Sequence, residues 1–228
     1  MRKFWGFYKN GTYSVGCNGA TVYIYDSNGK ELQKFKDFPY AYKAAFMPER
    51  NIIAVKSTSG YLGFYDLDKL ALIKRYTVTT IGAQDEGFAF STDGKFFYNI
   101  EKPVTSTDTQ LSIYETSGFT KIHKLFADNK TMHLDYLEAD NETGQLYVAG
   151  FMRDSEGVFD YGFVAVFDTK NLEITDIRIP DKETYKYLSQ YKRWELDGCT
   201  QKSLEWNSTL NVLDNIKPIS IKEVHNKF

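Results

Sequence analysis

Cysteine is almost missing from this chain. Its two residues, Cys17 and Cys199, form no Cys-x-x-Cys pair and are too few for a disulfide framework. They read as free, partly buried thiols, with a staple between the first and last parts of the chain as the alternative. Histidine is as scarce, at three residues (His123, His133 and His225), which argues against a multi-histidine zinc site. Five prolines argue against a disordered or low-complexity chain. The net charge of −2 supplies no global basic field for phosphates or anionic lipid, so neither nucleic acid nor membrane is an expected partner. The opening stretch MRKFWGFYKNGTYSV carries no apolar run, so it reads as neither a signal peptide nor a span, and a reducing, cytoplasmic setting is expected. Sequons at Asn10, Asn141 and Asn207 then mark only turn-like spots. Gly-x-Gly-x-x-Gly, the phosphate loop, His-Glu-x-x-His and Gly-x-Ser-x-Gly are all absent, and no cofactor or metal is expected.

What the chain does have is aromatic side chains, seventeen Tyr and seventeen Phe, and a repeat. These residue types favour pleated, half-buried surfaces. TVYIYD ends at Asp26, YLGFYD at Asp66, QLSIYE at Glu115, GFVAVFD at Asp168 and TLNVLD at Asp214. The closing acids are 40, 49, 53 and 46 residues apart. A period in that range, built from short strands, indicates a radial or stacked array.

Each unit reads as a four-stranded meander. In the first, Phe4–Tyr8, Tyr13–Gly16, Thr21–Tyr25 and Leu32–Phe35 are separated by Asn10-Gly11, Asn18-Gly19 and Asn28-Gly29, dipeptides that tolerate positive φ. The whole chain, 1–228, reads as one domain with units over about 4–35, 42–78, 86–126, 133–180 and 185–225. In the last unit Thr209–Leu213 and Pro218–Val224 are the clearest strands. Its first two, near Tyr187–Trp194 and Thr200–Trp206, rest on analogy, and a helix over Lys182–Tyr191 competes with them. Long loops at Glu101–Thr109 and around Arg153–Asp160 join the second and third strands of their units. They should emerge on one face, where such insertions carry binding.

Ser91-Thr92-Asp93-Gly94-Lys95 resembles the Ser-Pro-Asp-Gly-Lys turn of WD40-like β-propellers. Tyr25-Asp26, Tyr65-Asp66, Tyr114-Glu115 and Phe167-Asp168 stand where that family carries Trp-Asp. The resemblance covers nearly the whole chain and implies an all-β propeller of about five four-stranded blades. A closed ring is favoured; an open array completed by a partner chain is the alternative. No unit has the family's Trp or its Gly-His pair. Its buried polar network is therefore expected to be absent, with packing of the Tyr and Phe ends in its place.

Candidate residues follow from this frame. His133 and Asp135 alternate on a strand that would line the channel, so they should point the same way. Glu86, Asp135 and Glu138 are the channel carboxylates that a glycoside hydrolase would need as its acid and its nucleophile or base. Phe38, Tyr40 and Tyr42 are either rim contacts or core at a unit junction. Arg153, Phe159 and Tyr161 combine arginine with aromatics, the composition of an interface hot spot. The first functional reading is a non-catalytic propeller that binds another protein as scaffold or subunit. The alternatives are a carbohydrate-binding or carbohydrate-cleaving propeller, and an incomplete one that a partner chain completes.

Overall fold

The computed structural model describes residues 3–78, 87–103, 108–127, 129–140, 143–181, 196–197 and 200–201. Within them the chain is all strand and turn, with no helix. Strands β1 (Gly6–Lys9), β2 (Tyr13–Cys17), β3 (Val22–Asp26) and β4 (Glu31–Phe35) form the first antiparallel sheet. The second holds β5 (Ala41–Phe46), β6 (Ile52–Ser57), β7 (Tyr61–Asp66) and β8 (Ala71–Thr77). The third holds β9 (Phe88–Phe90), β10 (Phe96–Glu101), β11 (Gln110–Glu115) and β12 (Thr120–Leu125). The fourth holds β13 (Met132–Ala139), β14 (Leu146–Arg153), β15 (Phe159–Asp168) and β16 (Glu173–Arg178). All four are meanders in chain order, as the repeat implies.

The described residues thus contain four four-stranded sheets rather than the five expected. The strands foreseen at Thr209–Leu213 and Pro218–Val224, the stretch Tyr187–Trp194 and the competing helix lie outside the described residues. Of the last unit only β17 (Leu196–Asp197) and β18 (Thr200–Gln201) are described, and they pair as a hairpin.

The recurring acid has a local cause. Asp26 Oδ1 accepts hydrogen bonds from the backbone N–H groups of Asn28 and Lys30, both at 2.9 Å. Asp66 Oδ1 does the same for Asp68 and Lys69, at 3.1 and 3.0 Å, and Asp168 Oδ1 for Lys170 and Asn171, at 2.8 and 3.1 Å. The acid closes the turn between third and fourth strands by satisfying N–H groups that the ladder leaves open.

Three hydrophobic clusters join the four sheets face to face. Val15, Cys17, Val22 and Ile24 meet Ala44, Ile53, Val55 and Tyr65 between the first and second sheets. Leu62 and Phe64 meet Phe88, Phe97 and Tyr114 between the second and third. Ile100, Leu111 and Ile113 meet Leu134, Val148, Phe163 and Phe167 between the third and fourth. Cys17 is a fully buried free thiol whose pKa burial pushes up to about 12, so it is unreactive; Cys199 lies outside the described residues.

The first strands converge as well. Lys43 Nζ of β5 lies 5.1 Å from the ring centroid of Phe88 on β9 and 5.3 Å from that of Tyr136 on β13. Strand β13 departs from plain alternation. Its ladder with β14 shifts register between Leu134 and Tyr136, which leaves Asp135 as the extra residue of a bulge. Met132 and Leu134 face the third sheet before the bulge, and Leu137 does so after it.

The closing acids give the first testable outcome. The Asp66 carboxyl, opposed by its own desolvation, is held below its ordinary pKa by the N–H and ammonium of Lys69. In Asp168 the N–H groups of Asn171 and Lys170 have that effect. Stability from such a group is present above the usual carboxylate pKa and lost as pH falls through its depressed folded value. Chemical denaturation at neutral pH should show D66A less stable by about 1 kcal/mol and D66N, which keeps the acceptor oxygen, by less.

Candidate functional site

The sheets share an end, here the upper one, at which each second strand turns into the third. In the fourth sheet that turn is the segment around Arg153–Asp160, expected as a long loop. It is instead a tight hairpin, because β14 runs to Arg153 and β15 starts at Phe159. Asp154 closes it. Its Oδ1 accepts from Glu156 N and Val158 N, both at 2.9 Å, and its own N–H donates to Val158 O at 2.9 Å. Gly157 supplies the required left-handed backbone, at φ 81°. Val158 and Phe159 are left 57% and 43% exposed.

Arg153 anchors this hairpin to its surroundings. Its Nη1 donates to Asp108 Oδ1 of the third sheet's upper loop at 2.7 Å, and Nη2 donates to His133 Nδ1 at 2.9 Å. A guanidinium has no acceptor, so Nδ1 must accept and the ring proton sits on Nε2. His133 stacks on Phe151 with centroids 4.5 Å apart, and Phe151 meets Phe159 at 5.4 Å. The same loop is fastened again by Leu134 N, which donates to the buried Thr109 Oγ1 at 2.7 Å. Asp108 and Thr109 are thereby held against β13 and the end of β14.

Of the sequence-derived contact residues, Arg153 and Phe159 come together as register partners on β14 and β15. Tyr161 does not join them. It pairs with Met152 and packs against the cluster between the third and fourth sheets, where burial first and the Asp160 charge second push its hydroxyl up to about 12. Phe38 and Tyr42 are buried too; Phe38 lies over Gly63, whose missing side chain leaves room for the ring. Phe38 stands in the bend between β4 and β5, Tyr42 is the extra residue where the β5–β6 ladder shifts register, and Tyr161 is half-buried. Tyr40 is 65% exposed.

The channel carboxylates are dispersed in role. Glu86 lies outside the described residues. Asp135 is the bulge residue, so the common direction expected for it and His133 is broken by the register shift. Glu138 Oε2 accepts from the Tyr136 hydroxyl. Among the described residues no group of three or more His, Cys, Asp or Glu side chains is placed to hold a metal ion.

A polar site that the repeat did not announce lies inside the third sheet. Glu101 is 1% exposed. It accepts from Lys121 Nζ at 2.6 Å, Ser112 Oγ at 2.8 Å, Asn99 Nδ2 and Gln110 Nε2 at 3.1 Å, and the Tyr114 hydroxyl. The expectation that apolar packing alone holds the Tyr ends is corrected here: Tyr114 ends on Glu101, and Tyr65 ends on Asp37 Oδ2 at 3.1 Å. A buried phenol needs an acceptor. Polar residues at alternate positions of paired strands, Asn99 and Glu101 beside Gln110 and Ser112, were the available signal.

No protein-family model matches the chain, and no curated protein matches it in sequence. Among solved structures 795 chains match, so the architecture is widely shared and identifies no activity. One is a chain titled Kuenenia stuttgartiensis hydrazine synthase, with a TM-score of 0.58 at 16% identity. That match covers 75% of this chain and 46% of the other, so this chain spans about half its length. The likeness concerns the fold alone. No helix among the described residues is long and apolar enough to cross a membrane.

The tautomer deduced for His133 is checkable. At neutral pH, nitrogen NMR of the imidazole should show Nε2 protonated and Nδ1 bare. Loss of that preference in R153A would confirm that the guanidinium imposes it, and unchanged tautomer populations would refute it.

Proposed function

We propose that the chain is a non-catalytic β-propeller that binds another protein through its upper end, with a fifth unit over about 185–225 that closes the ring. The observation that carries the binding reading is the hairpin at Asp154–Val158. It presents Val158 and Phe159 to solvent on a turn fixed by Asp154 and braced by the Arg153–Asp108 pair. Exposed apolar side chains on a rigid support lose little entropy on binding, which is how interface anchors gain affinity.

Ring closure draws support from the two outer faces. Strand β18 lies beside β1. On the face of the fourth sheet turned away from the third, Val164 and Tyr147 are nevertheless 2% and 7% exposed. The outer face of the first sheet carries the aromatic group Phe4, Phe7, Tyr23 and Tyr25, whose Phe4 is 5% exposed. A fifth unit between these faces accounts for both.

Affinity capture from native lysate tests the binding reading. The intact protein should retain a stoichiometric partner. V158A and F159A should each weaken the complex about tenfold or more while leaving the unfolding midpoint unchanged. Equal affinity in both variants would overturn the assignment of this surface.

A further inference from the structure

At the opposite, lower end, the junction of the third and fourth sheets holds a pocket of about 260 Å³. Comparison of the repeats explains why it is there. The residue that ends the first strand is Phe46 in the second sheet, Phe90 in the third and Ala139 in the fourth. Each packs toward the preceding sheet. The next residue opens the lower turn. Met47 N donates to Ile52 O at 2.9 Å and Ser91 N to Phe96 O at 2.8 Å, so these two hold equivalent places.

Met47 is buried, and its methyl lies 3.4 Å from where a Cβ on Gly94 of the next sheet would stand. One junction further on, Thr92 Oγ1 takes that place against Gly144, at 3.5 Å. A Phe and a Met fill the junction of the second and third sheets. Ala139 and Ser91 leave the next one open.

The opening is not a plain apolar void. Thr92, Tyr98 and Thr169 bring hydroxyl-bearing side chains to its lining. Asp93 is ionised at neutral pH, because the Ser91 hydroxyl and the Lys95 N–H hold its carboxyl below the usual range. No Lys, Arg or His is among the lining residues, and the adjacent Lys95 ammonium is already paired with Asp93 Oδ2 at 3.1 Å, so the charge at this site is balanced and a neutral ligand suits it. Phe96 and Leu146 give the pocket an apolar side.

We propose that this pocket binds a neutral, polyhydroxylated ring of monosaccharide size, with Thr92, Tyr98, Thr169 and Asp93 hydrogen-bonding its hydroxyl groups and Phe96 against its C–H face. Such ligands need donors and acceptors together with a flat apolar wall, and small-molecule sites commonly combine these in one concavity. The site is independent of the protein-binding surface, which lies at the other end of the sheets.

The test is a titration of the intact, nitrogen-15-labelled chain with glucose, galactose, mannose and N-acetylglucosamine, read by amide shifts. At least one sugar should give saturable shifts at Gly144 and Lys95 and none at Gly19 or Gly157. A139F, which restores the Phe of the second and third sheets, should abolish them, and Y98F should weaken binding about tenfold. No saturable shift with any of the four sugars overturns the proposal, as does unchanged affinity in A139F. Should A139F fail to give a folded spectrum, Y98F decides alone, and unchanged affinity in it overturns the proposal.

Discussion

Burial of both faces of every inner sheet is the constraint on which the rest of this structure depends. Strand β6 shows it most plainly, since all six of its residues are buried. A strand covered on both sides loses the polar alternation of a half-solvated one. Any polar side chain left inside must then find its partners within the protein, because an unpaired buried charge costs several kcal/mol. Lys56 is 1% exposed and donates to Ile100 O at 2.6 Å. Glu101 gathers donors from three strands of its sheet. Asn99 Oδ1 is the one described buried side-chain atom left without a partner.

Face-to-face packing also decides where function can reside. Faces consumed by neighbours offer nothing to a ligand, so recognition is confined to the ends of the sheets and their outer strands. The two ends differ in character. At the upper one the Asp154 turn, the Arg153 ion pair and the His133–Phe151–Phe159 stack hold exposed apolar side chains in place. At the lower one the turns carry hydroxyls and carboxylates, and where the repeat substitutes small side chains for Met and Phe a polar concavity opens.

Strand positions were legible because their determinants are local. Turn dipeptides with positive φ, such as Asn10-Gly11 and Asn28-Gly29, and the acid capping each third strand punctuate the chain at fixed points. What stayed hidden depends on contacts between sheets. The bulge at Asp135 breaks an alternation that the sequence keeps, and it redirects His133 relative to Asp135. Phe38 and Tyr42 have the composition of a binding patch but are buried, and Tyr161 is half-buried against the cluster between the third and fourth sheets, outcomes of packing between sheets rather than of residue type. The pocket at Ala139 is visible only when one repeat position is compared across sheets. Of the candidate site, Arg153 and Phe159 were legible in the sequence, whereas Asp108, His133 as the partner of Arg153, and Val158 were not.

The most direct test of the central claim is the unfolding of the chain ending at Asp181 beside the intact protein. If the proposed fifth unit supplies the missing cover, removal of residues 182–228 should bare Phe4 on the first sheet and Val164 and Tyr147 on the fourth. The account predicts that the shortened chain binds a hydrophobic dye, self-associates and loses its single cooperative transition. A shortened chain that stays monomeric, excludes dye and keeps the midpoint of the intact protein would contradict it.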